Sequence, residues 1–464
     1  MRVLEGLRPE AALGYFEELC AIPHGSRNTK AISDYCVRFA KKHGLRYVQD
    51  ASNNVVIYKC ASAGYENHPT VILQGHLDMV CEKEADSEID FAKDGLRLKH
   101  DGTFIFADGT TLGGDDGIAV AYALAVLAAD DLKHPPLEAV FTVDEEIGML
   151  GADAMDMSVL QGRILLNIDS EDEGILTVSC AGGATAEIVL PITRTLASGS
   201  AWRVTISGLA GGHSGVDINK DRANADKLMA ALLSELPECR LISINGGSKD
   251  NAIPRSCDAL VMSDAADFAQ RCLAIKLKAP EDYTVTCEAA EGGAVMEQSQ
   301  AALQLLNALP NGVQAMSADI AGLVQTSLNL GILETTQDAL RMTFSVRSSV
   351  NREKEALTDT LRTLAENAGA CYTQSGDYPA WEYQKASRLR ETMVAVYEEL
   401  YGQKPVVEAI HAGLECGIFS DRLQGLDAVS FGPQMHDIHT TRERLDIASV
   451  ARTWDYLVAI LERL

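Results

Sequence analysis

The sequence is short of positive charge and of long apolar runs, and each shortage excludes something. Lys+Arg number 40 against 66 Asp+Glu over 464 residues, a formal net charge of −26. Nucleic-acid binding needs a basic face, so nucleic acid is excluded as a partner, and small molecules or cations are expected instead. The longest apolar run, Gly117 to Ala129, is 13 residues, and a membrane helix needs about 20. No membrane association is therefore expected. The segment Met1–Pro23 carries charges throughout and has the spacing of an amphipathic helix, not that of a secretory leader. The 11 cysteines form no Cys-x-x-Cys pair. An odd, scattered set of this kind reads as reduced thiols in a cytoplasmic chain, not as a disulfide framework. Nor is there a serine-hydrolase elbow: Gly212-His213-Ser214-Gly215 lacks its spacing. Gly208–Gly215 lacks the strand–turn–helix context of a dinucleotide loop.

What is present is ordinary for a folded chain, with 47% hydrophobic and 23% charged residues. The length asks for more than one domain. Up to about residue 185, strand and helix patterns alternate. Helical spacing at Glu10–Cys20, Lys30–His43 and Gly117–Ala129 is interleaved with short apolar runs at Asn54–Lys59, Val71–Gln74, Ala139–Val143 and Ile164–Ile168. That alternation predicts an α/β layer with a largely parallel central sheet flanked by helices. From about 186 the texture becomes α+β. Strands at Glu187–Leu190 and Arg203–Ser207, a helix over Asn219–Leu236, a helix over Asp264–Leu277 and a strand at Tyr283–Glu288 give a ferredoxin-like order. Residues 299–373 repeat much of it, so a duplicated ferredoxin-like unit is expected. The last residues return to the first texture, with helices at Ala386–Leu400 and Ile447–Leu461 around a strand at Asp427–Phe431. The reading is a catalytic domain made of 1–185 and 384–464, interrupted by an inserted domain at 186–383.

Acid and histidine clusters follow the candidate strands: Gly75-His76-Leu77-Asp78, Gly113-Gly114-Asp115-Asp116-Gly117, Asp144-Glu145-Glu146-Ile147-Gly148, Asn167-Ile168-Asp169, and His436 to His439. Functional groups of α/β sheets gather beyond the carboxyl ends of strands, and this shared placement is hard to explain as capping. His76 and Asp78 are two apart and face the same way on an extended segment, so the carboxylate is placed to orient the imidazole. Glu145 and Glu146 are adjacent and diverge, so one suits a metal and the other proton transfer. Asp115 lies among glycines that let the backbone approach a ligand. Asp169 ends an apolar strand, where an unpaired carboxylate is costly. Two imidazoles and three carboxylates suit two Zn²⁺-like ions sharing one carboxylate. The alternative is an acidic sheet edge with no metal.

The motifs Gly75-His76-Leu77-Asp78-Met79-Val80, Thr111 to Gly117 and Asp144 to Gly148 resemble the di-zinc aminoacylase/carboxypeptidase clan, and within it the aminoacyl-histidine dipeptidase (Xaa-His dipeptidase) branch. Gly211-Gly212-His213-Ser214-Gly215, Asn251-Ala252-Ile253-Pro254-Arg255, His411 to Gly417 and His439 to Arg444 continue the resemblance along the whole chain. It implies that Asp115 bridges two divalent ions, most often Zn²⁺ with Co²⁺ or Mn²⁺ also suited. His76 and Asp169 would complete one site, and Glu146 and His439 the other. Asp78 would orient His76, and Glu145 would be the general base toward a metal-bridging water. The pattern His-x-x-x-Glu-Arg selects His439, with Glu443 and Arg444, over the rival His436. The peptide after Asp115 is often cis in the clan. The family more often carries Asn at position 116 and Pro at position 25.

The resemblance also implies an inserted domain acting as a lid and a dimerisation surface. His213 would stabilise the oxyanion, Asn251 and Arg347 would hold substrate, and Glu415 would hold the free amine. A fork-shaped guanidinium at Arg347 suits a C-terminal carboxylate. The expected activity is hydrolysis of unblocked dipeptides, Xaa-His (carnosine-like) among them, by a cytoplasmic homodimer. The alternatives are an N-acyl-amino-acid deacylase of the same clan and a catalytically silent metal-binding protein on this fold.

Overall fold

The apolar runs read from the sequence lie side by side as buried strands. The computed structural model describes residues 2–464, and among them the chain forms two compact units. The first comprises residues up to Ser179 with Tyr383–Ala409 and Leu414–Leu464; the second comprises Cys180–Glu382 with Ile410–Gly413.

The first unit is built on an eight-stranded sheet in the order Arg46–Gln49, Val55–Lys59, Leu137–Thr142, Val71–His76, Ile164–Asn167, Asp427–Ser430, Ile175–Cys180, Val406–Ile410. Val71–His76 and Leu137–Thr142 are buried at every position, as continuous apolar runs in a covered sheet should be. The helix Gly114–Ala128 has no polar face after its first turn and is buried almost throughout. It packs on Val71–His76 and on the helix Glu10–Cys20. Parallel pairing links the strands from Leu137–Thr142 to Asp427–Ser430 in the middle of the sheet. On one flank Val55–Lys59 and Arg46–Gln49 pair antiparallel, and on the other Asp427–Ser430 meets Ile175–Cys180 antiparallel. The sheet is thus mixed: a connection as short as 50–54 closes only an antiparallel pair, because a parallel one needs a crossover.

A small antiparallel sheet in the same unit joins Leu98–His100, Phe104–Ala107, Arg444–Asp446 and Met435–His436. Its hairpin between His436 and Arg444 carries His439.

The second unit holds a nine-stranded antiparallel sheet, in the order Thr284–Ala290, Ser200–Ser207, Cys257–Ser263, Arg240–Gly247, Val324–Thr335, Ala339–Ser348, Gly182–Pro191, Cys371–Tyr378, with Gly312–Met316 beside Val324–Thr335. The first four strands carry one split β-α-β arrangement and the last four a second, joined where Arg240–Gly247 meets Val324–Thr335. They are nested, not consecutive: Gly182–Pro191 belongs to the second arrangement but precedes the first in the chain. The helix expected from Asn219 begins at Ala225, because the Asn224 side chain accepts the N–H groups of Asp226 and Lys227 at 3.0 and 3.2 Å.

Asp226, in the first turn of that helix, is fully buried, and no N–H or O–H donor reaches its carboxylate. It fits only because residue 246 is glycine, where a Cβ would lie 1.7 Å from Oδ1. Burial pushes its carboxyl up to about 7, opposed by the Cys257 thiol. The unfolded chain ionises near pH 4, so the neutral acid favours folding below that pH and the benefit is lost as pH rises through about 7. Asp226→Asn is therefore expected to melt a few degrees above the parent at pH 8 and with it at pH 4. Parallel melting curves across that range would show that Asp226 does not titrate in the folded state.

Candidate metal centre

The carboxyl ends of the parallel strands converge on one cluster. His76 is the last residue of its strand, Glu145 and Glu146 follow Leu137–Thr142, and Asp169 follows Ile164–Asn167. Asp115 enters from the Gly113-Gly114 turn, where Gly113 has φ 66°, and His439 from the hairpin of the small sheet. The Asp115–Asp116 peptide is cis.

Asp115 stands between two imidazoles. Its Oδ1 is 3.0 Å from His76 Nε2, and its Oδ2 is 3.0 Å from His439 Nε2. Asp169 Oδ1 lies 3.7 Å from His76 Nε2, and Glu146 Oε1 lies 3.0 Å from His439 Nε2. Burial disfavours charge on His76, yet Asp115 and Asp169 together hold it well above the usual imidazole range. Asp115 and Glu146 push His439 up to about 11. Burial pushes Asp169 up to about 6 and raises Glu145 well above the carboxylate range. Carboxylates outnumber the imidazoles paired with them, and the site is short of positive charge.

Divalent ions would supply that charge, and the donors fit them. Two ligand atoms each about 2.0–2.1 Å from a tetrahedral zinc ion lie about 3.3 Å apart, inside the 3.0–3.7 Å spread seen here. Glu146 Oε1 is buried and faces His439 Nε2, two donor atoms that one cation could take up together. Donor atoms of His76, Asp115 and Glu146 lie within 4.8 Å of one another, as do those of His76, Asp116 and Asp169.

The second of these groups contains a residue to which the sequence assigns no role. Asp116 is fully buried; its Oδ2 accepts the His76 main-chain N–H at 3.2 Å, and Oδ1 has no partner. Burial and the neighbouring Asp169 push its carboxyl well up. A protonated acid offers one donor beside its acceptor, close to what Asn would provide there.

Asp78 differs from expectation in how it touches His76. His76 Nδ1 lies 3.0 Å from the Asp78 main-chain carbonyl and 3.7 Å from its carboxylate. The carboxylate is taken up elsewhere: it accepts from Ser26 Oγ at 2.8 Å and from the N–H groups of Glu145 and Glu146 at 3.0 and 3.4 Å. It therefore holds the turn that carries both glutamates, and sequence spacing does not reveal such a contact. Glu415 is fully enclosed. Its Oε2 accepts from Gln74 and, at 2.7 Å, from Thr142, while Oε1 has no partner. His436 packs edge-on against Phe104, with ring centroids 5.7 Å apart.

In the second unit, the His213 imidazole accepts the Gly215 N–H on Nδ1 at 3.1 Å, so the neutral ring carries its proton on Nε2. Burial and Arg347 keep it below its usual range. The Arg347 Nη1 lies 3.5 Å from the Tyr378 hydroxyl, and its buried Nε has no partner. The Asn251 main-chain carbonyl accepts from Ser214 N–H at 2.8 Å. His411 is buried, with Nε2 2.7 Å from Ser327 Oγ.

The model of peptidase family M20/M25/M40 matches residues 72–463. The chain belongs to that family. The match runs from the strand that ends in His76 to the last helix, so it spans every candidate metal ligand described above. The chain is 36% identical over 482 aligned residues to the cytosol non-specific dipeptidase of Escherichia coli K12, covering 100% of this chain and 99% of that protein. Among solved structures, the aminoacylhistidine dipeptidase of Vibrio alginolyticus superposes with a TM-score of 0.93 at 38% identity, covering 99% of this chain and 98% of that one. An aminopeptidase of Bacillus cereus, at 16% identity and a TM-score of 0.58 over 98% of each chain, shares the fold. Among the described residues, no helix of this M20-family chain is long and apolar enough to cross a membrane.

Proposed function

We propose that this M20-family peptidase is a dinuclear metallo-dipeptidase of the cytoplasm that hydrolyses unblocked dipeptides, Xaa-His among them. The observation that carries the reading is Asp115 set between His76 and His439, each 3.0 Å away, with Glu146 and Asp169 beside them. Both full-length relatives are dipeptidases by name.

His76, Asp115 and Asp169 would hold one ion and Asp115, Glu146 and His439 the other, Zn²⁺ suiting this donor set best. When bound, the two ions polarise the scissile carbonyl and ease deprotonation of water. Glu145 takes the proton from the attacking water on a carboxylate oxygen and passes it to the leaving nitrogen, so that acid and amine leave as separate products. Its raised affinity for a proton, caused chiefly by burial, suits a group that must both accept and release one. Asp78 holds the Glu145–Glu146 turn. The family resemblance alone gives His213 the role of stabilising the oxyanion, and Arg347 and Asn251 that of holding substrate. We assign Glu415, enclosed and tied to Gln74 and Thr142, to holding the strand ends together in place of the amine-binding role expected for it. Lid and dimer-forming roles for the second unit follow from the family resemblance alone.

The test is hydrolysis of β-Ala-His, Gly-His, Ala-Leu and acetyl-Gly-His. The expected result is cleavage of the free-amine dipeptides only. Cleavage of the acetylated compound alone would establish the deacylase alternative and overturn the dipeptidase reading.

A further inference from the structure

Glu443 is buried, 3% exposed, and is engaged by main-chain donors that all come from one place. Its Oε2 accepts the N–H of Leu112 at 2.8 Å and that of Gly113 at 3.3 Å, and its Oε1 accepts the N–H of Gly114 at 2.8 Å. These are the residues immediately before Asp115. Glu443 itself closes the hairpin that carries His439, where its own N–H bonds to the Thr440 carbonyl at 3.1 Å. One hairpin therefore reaches one segment twice: through His439 Nε2 to Asp115 Oδ2 at 3.0 Å, and through Glu443 to the amides just upstream. The fit leaves little slack. A Cβ on residue 114 would stand 3.3 Å from Glu443 Oε1 and 3.2 Å from Met435 Sδ.

We propose that Glu443 is a positioning residue of the metal centre: by taking up the amides of Leu112, Gly113 and Gly114, it fixes the Asp115 carboxylate relative to the His439 imidazole. The inference rests on the dinuclear reading above. A carboxylate serves where an amide would not, because all three partners are donors and Gln would turn its own N–H₂ toward some of them. Preorganisation is the benefit. The distance between two ligands from far-apart parts of the chain is set before any ion arrives, and groups that orient ligands typically contribute about 10–100-fold to metal affinity.

The experiment compares Glu443→Gln with the parent. Amide hydrogen exchange of the metal-free proteins is measured first, then Zn²⁺ affinity by chelator competition. Glu443→Gln should exchange faster at residues 112–114, with the strands Val71–His76 and Leu137–Thr142 unchanged, and should bind Zn²⁺ about 10–100-fold more weakly. Glu443→Asp, which keeps the charge on a shorter stem, should fall between the two and serves as the variant of record if Glu443→Gln fails to fold. Unchanged exchange at 112–114, or faster exchange with Zn²⁺ affinity within about twofold of the parent, would overturn the proposal. A parent chain that binds no Zn²⁺ would overturn the dinuclear reading as well, so the two failures are distinguishable.

Discussion

Glu145→Gln should keep both ions and lose turnover by about a hundred- to ten-thousandfold, the usual worth of a positioned general acid–base group. The substitution preserves size and leaves the main chain alone, and it is the Glu145 main-chain N–H, not the side chain, that bonds to Asp78 at 3.0 Å. The turn should therefore stay in place, and so should Glu146, whose Oε1 lies against His439. What disappears is a group able to accept a proton. The check is kcat of the zinc-loaded variant together with its metal content. A near-parental kcat would remove Glu145 from the proposed mechanism. Full loss of one ion would instead make Glu145 a ligand and shift the proton transfer to its neighbour Glu146, the exchange of roles that the adjacent glutamates leave open in the sequence.

Asp115→Ala should have the larger effect on the metals. Its two carboxylate oxygens face different imidazoles, each at 3.0 Å, so one substitution removes a donor from both proposed sites. Groups that merely orient ligands cost about 10–100-fold in affinity when lost. Loss of a shared ligand should exceed that for both ions, with activity falling below detection at micromolar zinc. Calorimetric titration with Zn²⁺ reads this directly. Retention of two tight sites in Asp115→Ala would show that the ions, if bound, do not share that carboxylate.

Much of the first unit is legible in the sequence, because its strands are short, apolar and separated by strong helices. Gly114–Ala128 could hardly be anything but buried. The acid and histidine clusters at 76–78, 145–146 and 169 can be placed together from local pattern, since parallel strands deliver their carboxyl ends to one edge. His439 cannot be placed that way. The family pattern prefers it to His436, but strand periodicity does not separate the two, and the pairing of Met435–His436 with Arg444–Asp446, and of that strand with Phe104–Ala107, turns His436 against Phe104 and His439 toward Asp115. The contacts of Asp78 with the Glu145–Glu146 turn and of Glu443 with the 112–114 amides are hidden for the same reason: they join residues far apart in the chain. The nested arrangement in the second unit escapes local reading too. Gly182–Pro191 pairs with Ala339–Ser348 across the whole of the intervening arrangement, and spacing carries no record of that partner.

The measurement that bears most directly on the account is anomalous diffraction at the zinc edge from zinc-soaked crystals. Two peaks of similar height are expected, one ligated by His76 and Asp169, the other by Glu146 and His439, with Asp115 touching both. A single peak, or a pair in which Asp116 replaces Asp115 as the shared ligand, would contradict it.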